Sequence, residues 1–384
     1  MKSKTYQVIQ FPDNIASIPA RNSRALNEVG VKSLTLLRKE YKSIETVDNS
    51  GAKFLSFNGL PADLAYGDWW GLFGRFFRQP FKRVYRLRML ANKLLWHYNR
   101  HKFSFLTETD LMHVHFANVC GTGGEKCFRD SRVPGVVTYH GSDIRIREVD
   151  FQTNPYVAKV LLTESGARYG NTKRAIQRQT FFAELSYRPV VSAGMMQYLI
   201  PEARKEAFQY FHALDVPKEV YPPSPDEARP LIIHAPSSPP IKGSSYVRKA
   251  VERLRRYADF EYVEVTGMDR KEVIALMKRC DIFIDQLILG DYGMACIEAM
   301  SYGKPSVCFV KPSVLDLLPG DLPIVNACPD NLTSRLLMLI RDGEMRNTLG
   351  KASRKYVEDY HDSKKVAMKL NEIYREVLEE VTDR

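Results

Sequence analysis

At 384 residues the chain is longer than a single hydrophobic core usually grows, so two domains of ordinary size are expected. A composition of 44% apolar and 26% charged residues excludes a disordered or low-complexity chain. The net charge of +11 asks for an anionic partner, which a nucleotide sugar, a phospholipid surface or nucleic acid would each satisfy.

The N-terminal stretch MKSKTYQVIQF has no apolar signal core, and no segment reaches the roughly 18 apolar residues of a membrane span, so a cytoplasmic protein is expected. Residues 6–11 read as a first strand. The polar loop behind it leads to a helix ending near Gly30, and residues 31–37 resume a strand, which makes a βαβ opening. Residues 69–102 interleave Arg75, Arg83, Arg86 and Arg88 with Trp69, Trp70, Phe76 and Trp96, and no acidic residue lies between Asp68 and Glu108. Such a stretch suits an anionic membrane surface, with single-stranded nucleic acid and an internal amphipathic helix as alternatives. Residues 111–116 alternate His113 and His115 with apolar residues in a strand, without a third residue at a metal-ligand spacing.

Residues 136–139 form another strand that runs straight into His140-Gly141-Ser142-Asp143, and polar residues at a strand's carboxyl end are where open α/β sheets place their sites. Residues 189–192 read as the last strand of this half, followed by a helix from Met195. Five prolines between Val216 and Pro230 then mark a linker.

The second half opens with a strand at 231–234, a small-residue loop through Lys242-Gly243 and a helix over 246–257. This sequence of elements predicts a phosphate cradle in which Lys242 supplies charge. A strand at 262–266 and a helix over 268–278 lead to apolar runs at 282–284 and 306–310, the kind that a parallel sheet buries on both faces. Between these runs a helix starts near Gly293 and stops at Gly303. It is apolar nearly all round, yet carries Glu298, which needs a partner: an Arg or backbone amide of the protein, or a ligand's hydroxyl pair. From Asn331 onward the pattern is helical. The six cysteines are dispersed and read as reduced core residues.

The string YGMACIEAMSYGKPSV, residues 292–307, resembles the nucleotide-sugar signature of retaining glycosyltransferases of the GT-B fold, the large family four, with its Glu-Ala-Met-x-x-Gly-x-Pro helix. The resemblance implies that Glu298 binds the ribose hydroxyls and that the amides of Gly293 and Met294 hold the donor. Eight residues before Glu298 the family carries a second Glu on the sugar ring; here stand Gly290, Asp291 and Tyr292. The His140 to Asp143 loop resembles the N-terminal loop that faces the donor sugar, which makes His140 and Asp143 the candidate catalytic residues. In the loop after residue 234 the family's Lys-Gly is present as Lys242-Gly243, while its Arg is replaced by Ser237. The loop at Thr266 would lie by the nucleobase. The family's Gly-Gly pair in the first loop is absent, and Asn14, Ser17, Arg21 and Asn22 are polar candidates for that place.

The implied fold class is α/β, two Rossmann-like domains with a donor cleft between them. Residues 1–216 would form the acceptor-side domain, 217–230 the linker, 231–360 the donor domain and 361–384 a helix returning to the first domain. The implied activity is transfer from a nucleotide diphosphate sugar, with retention and without a metal ion or other cofactor, to a lipid-linked or saccharide acceptor in envelope polysaccharide or glycolipid synthesis. The departures at Gly290 and Ser237 admit an alternative, a GT-B binding or scaffold protein that has lost transfer. Nucleic acid is not expected as a partner, since charge alone speaks for it.

Overall fold

The computed structural model describes residues 6–11, 17–37, 52–54, 108–116, 124–163, 170–320 and 322–382. Asn14 and the basic aromatic stretch 69–102 lie outside them. Two all-parallel sheets organise the chain. The first has seven strands in the order β3-β2-β1-β4-β5-β6-β7: β1 (Gln7–Phe11), β2 (Lys32–Leu37), β3 (Ala52–Phe54), β4 (Leu111–His115), β5 (Gly135–Thr138), β6 (Arg188–Val191) and β7 (Phe208–Gln209). The second has five, β12-β11-β10-β8-β9: β8 (Leu231–His234), β9 (Glu261–Glu264), β10 (Ile282–Ile284), β11 (Ser306–Cys308) and β12 (Ile324–Asn326).

The apolar runs at 231–234 and 282–284 are central strands, as their unbroken hydrophobicity requires. Residues 188–191 are not the last strand of the first half, because β7 follows and pairs with β6. The helix expected from Met195 is a 3₁₀ segment beginning at Ala193. The helix expected from 268 begins at Arg270, since Asp269 accepts the Glu272 N–H while Glu272 reaches back to the Asp269 N–H, a capping box that fixes the start.

One face of the first sheet changes character along its strands. Val8, Leu111, Val136 and Val190 pack against Val366, Leu370, Ile373 and Tyr374 of the Ser363–Thr382 helix. Two residues on, the same face presents Gln10, His113 and Thr138, buried and polar. The C-terminal helix thus closes the N-terminal domain. Where the chain crosses between domains its two passages pair: the Leu214 N–H donates to the His361 carbonyl at 2.7 Å and the Ser363 N–H to the Leu214 carbonyl at 2.9 Å. The proline-rich segment is strapped to the second domain, where the Tyr302 and Pro223 carbonyls accept from the Tyr221 N–H and Asn347 Nδ2 at 2.8 Å.

Candidate functional site

In each sheet the strand order reverses once, between β1 and β4 in the first and between β8 and β10 in the second, and crevices at such points are where open α/β sheets bind ligands. At the second, His234 ends β8 and donates from Nδ1 to the Ile284 carbonyl at 3.0 Å, while its Nε2 accepts the Ser244 hydroxyl at 2.9 Å. The loop between β8 and the Ser244–Leu254 helix is thereby pinned at both ends. It contains a single helical turn, Pro239–Lys242, and then Gly243 at φ 79°, where a side chain would be strained and would press on Leu287 and Ile288.

This turn aims Lys242 across the reversal. Its Nζ donates to Asp285 Oδ1 at 2.6 Å, and Asp285 Oδ2 accepts the Gly293 N–H at 3.1 Å, immediately before the Met294–Ser301 helix. One buried carboxylate therefore joins a lysine to a helix N-terminus. Asp285 was not among the residues singled out from the sequence, although an acid directly behind the apolar Ile282–Ile284 run is a readable signal. Ser237 and Thr266 are exposed, without a side-chain contact to this group.

Glu298 has a protein partner. Arg270 grips it with two bonds, Nη1 to Oε2 at 2.8 Å and Nη2 to Oε1 at 2.5 Å, of which Arg270 is the more exposed member. A carboxylate has about four lone-pair positions, so this fork leaves half of them open. No local pattern marks Arg270, which lies 28 positions earlier. From the other domain Arg21 comes close enough for its charge to be felt by Glu298 and Arg270, with Nη1 donating to the Ala213 carbonyl at 2.8 Å. Burial pulls the Arg21 pKa down, and Asp215 opposes that shift. Ser17 and Asn22, the other candidates on this segment, are buried.

Gly290 adopts φ 78°, and a Cβ there would lie 2.4 Å from Lys311 Cγ, so the lysine stem fills the space of a side chain at 290. The Lys311 ammonium reaches the first domain, donating to Gln197 Oε1 at 2.6 Å and lying 3.5 Å from Asp150 Oδ1, whose two oxygens accept the Tyr198 hydroxyl at 2.8 Å. Asp291 sits against Gly194 of the first domain; burial raises its pKa to about 6, against the pull of Arg145 and Lys311. Tyr292 is buried, and its hydroxyl donates to His361 Nε2 at 3.2 Å.

On the first domain His140 stands at the end of β5, half-buried, with Nε2 3.1 Å from His115 Nδ1 and its ring stacked toward His212 at 6.3 Å. Asp143 is fully buried, and its Oδ1 accepts the backbone N–H groups of His140 and Gly141 at 2.9 and 2.8 Å, so it shapes the loop that carries His140. Burial raises its pKa to about 6. His113 and His115 have both ring nitrogens engaged by protein groups.

Two parallel α/β domains, joined by a double crossing and facing each other across the carboxyl ends of their strands, define the GT-B class. Residues 241–356, within the second domain, match the family described as glycosyl transferases group 1. The chain is 22% identical over 273 residues to an uncharacterized glycosyltransferase of Methanocaldococcus jannaschii, covering 70% of this chain and 76% of the relative. In fold it is similar to sucrose-phosphate synthase from Thermosynechococcus elongatus, with a TM-score of 0.60 at 13% identity over 97% of this chain and 99% of that one. It is similar also to Anabaena HepE in complex with UDP and glucose, with a TM-score of 0.58 at 12% identity over 97% and 100%.

Proposed function

We propose that the chain is a glycosyltransferase that moves a sugar from a nucleotide diphosphate sugar to an acceptor. The observation that carries this reading is the convergence of Lys242, the Gly293 N–H and the start of the Met294–Ser301 helix at the β8–β10 reversal. A cation beside a helix N-terminus binds anions, and a diphosphate carries more charge than the single carboxylate of Asp285 that both groups now contact. HepE, similar in fold, is described in complex with UDP-glucose. In this reading Glu298, held by Arg270, offers its two open lone-pair positions to the ribose, and Thr266 lies on the nucleobase side.

Transfer of a hexose with retention fits the same reading, as does departure of the diphosphate onto fixed cations and amides without a metal ion. A lipid-linked or saccharide acceptor, met at the inner face of a membrane through residues 69–102, extends it. Among the described residues no helix is long and apolar enough to cross a membrane. A second reading, a GT-B binding protein without transfer activity, draws on Lys311, which fills the space of any side chain at position 290.

The test is thermal unfolding with a panel of nucleoside diphosphates and their sugars, followed by turnover assays on those that bind. A ligand at 100 times its Kd adds about 2.7 kcal/mol of stability. Stabilisation by none of them refutes the donor assignment; stabilisation without hydrolysis or transfer selects the second reading.

A further inference from the structure

Where the chain enters the second domain it borders a cavity of about 340 Å³. The walls are residues 225–228, which precede β8, residues 257–259, which precede β9, and the entry to the Gly343–Tyr360 helix. The cavity therefore lies at the amino ends of these parallel strands. Lys242 and the Gly293 amide stand at the opposite, carboxyl ends.

The walls are held by backbone groups. Arg346 is 1% exposed and ties them together, with Nη1 donating to the Leu339 and Ile340 carbonyls at 2.7 Å and Nη2 to the Glu227 carbonyl at 2.5 Å. A side chain at Gly343 would run into the Pro225 carbonyl, so glycine is what lets the linker and the helix meet. The shape is thus formed before any ligand arrives. Its volume lies in the range of small-molecule sites, roughly 300–1,000 Å³.

Several polar groups on these walls are left over. Arg346 Nε is buried without a partner among the described residues, and a buried donor left so costs about 1–3 kcal/mol. Arg341 reaches the Tyr257 carbonyl only at 3.5 Å, and among the described residues it forms no ion pair. The Asp226 carboxylate accepts no bond from them either; only its backbone N–H is engaged, by the Ser224 hydroxyl. Asp259 and Glu227, in contrast, are occupied by Arg229, through Nε at 3.1 Å and the backbone N–H at 2.9 Å.

One free carboxylate and one free guanidinium thus line the same cavity. An ionic ligand of either sign would meet a like charge there, whereas a polyhydroxyl ligand gives hydrogen bonds to the first and takes them from the second. Tyr257, 64% exposed, adds an aromatic face, which suits the C–H face of a sugar ring. We infer that this cavity binds a short uncharged oligosaccharide, with Tyr257 against a ring face and Asp226 and Arg341 on its hydroxyls. The site stands apart from the glycosyltransferase reading, since none of its residues belongs to the donor cleft.

Saturation-transfer NMR on the full chain, with neutral di-, tri- and tetrasaccharides of glucose, galactose, mannose and N-acetylglucosamine as probes, tests for the ligand directly. At least one of them should receive transfer at millimolar concentration. Its affinity is then titrated in variants. Tyr257→Ala should weaken it about two- to tenfold, and Tyr257→Phe, which keeps the ring, should retain most of it. Asp226→Ala should also cost roughly two- to tenfold. Both positions are exposed, so the variants should unfold at the temperature of the unaltered chain. Lys242→Ala should leave saccharide affinity unchanged. Transfer to none of the probes overturns the inference, and so does an affinity that survives intact in Tyr257→Ala or in Asp226→Ala. A saccharide lost in Lys242→Ala overturns it too, because that ligand then sits in the donor cleft. The nucleoside diphosphate panel judges the donor reading by itself, so the two can fail separately.

Discussion

Glu298→Gln is the perturbation that separates a ligand-binding carboxylate from a structural one. In the structure its carboxylate accepts two charge-assisted bonds from Arg270, and such bonds are worth about 1.5–3 kcal/mol each. The Arg270 side chain is 35% exposed, so solvent screening puts the expected loss of stability near the lower end, about 1–2 kcal/mol. Arg270→Gln should cost a similar amount, and the double variant little more than either, because both remove the same fork. Nucleotide affinity behaves differently if the open lone pairs hold the ribose. Titration calorimetry with UDP should then show Glu298→Gln weakening binding about tenfold or more, and Arg270→Gln weakening it less, since the carboxylate survives and loses only its orientation. Equal losses of affinity in both variants, or none in either, would refute the ribose role and leave Glu298 as one half of an ordinary ion pair.

Lys242→Ala should lower affinity for a nucleoside diphosphate by about 1.5–3 kcal/mol and spare the nucleoside, because Ser237 supplies no second cation; equal losses for both would place the diphosphate elsewhere. Gly290→Glu should destabilise the fold by more than the roughly 1–2 kcal/mol of a strained left-handed residue, because its Cβ meets Lys311, and denaturant unfolding would show it; a neutral result would mean that Lys311 moves aside without penalty. Acid should unfold the protein early. His113, His212 and His361 bind protons near 6.5 when unfolded but only at about 3 to 4 when folded, so each removes about 1.4 kcal/mol per pH unit as the pH falls below 6.5. Asp143 and Asp291, raised to about 6, act in the opposite sense, the folded form holding their protons between about pH 6 and 4. His115, His140 and His234, lowered as well, tip the balance toward acid lability, and urea unfolding at pH 7 and pH 5 should show the loss.

Legibility followed the range of the interactions. The central strands at 231–234 and 282–284 and the helix between Gly293 and Gly303 could be read because apolar runs and glycine punctuation are local. The placement of Lys242 followed from strand, loop and helix in succession. Arg270 and Lys311 could not be read, since each acts through a partner far along the chain: Arg270 on Glu298, Lys311 on Gln197 and Asp150. His113 and His115 announced a polar strand but not its purpose. Their partners are Gln10 on β1, Thr138 on β5 and Tyr374 on the last helix, and only the folded sheet brings them together.

That dispersal bears on how the two domains act together. The residues joining them differ from those that would bind a diphosphate: Lys311 crosses to Gln197 and Asp150, Asp291 packs on Gly194, and Tyr292 meets His361 at the double crossing. Gly290, Asp291, Tyr292 and Gly293 are consecutive, so one loop carries the contacts to the first domain and, at its end, the amide beside Lys242. Movement of the Gly293 amide from Asp285 onto a ligand phosphate would therefore pull on the residues that hold the domains together, and ligand binding and domain packing would be coupled through four residues. Lys311→Met should loosen that coupling. Removing one partner of a buried ion pair costs about 3–5 kcal/mol when the other is left unpaired, and here Asp150 keeps the Tyr198 hydroxyl, which makes the lower figure the expected one. The two domains should then unfold in separate steps in a calorimetric scan, with any diphosphate affinity at Lys242 the same as in the unaltered chain. A single sharp transition in that variant, at unchanged temperature, would show that the Lys311 contact does not hold the domains together.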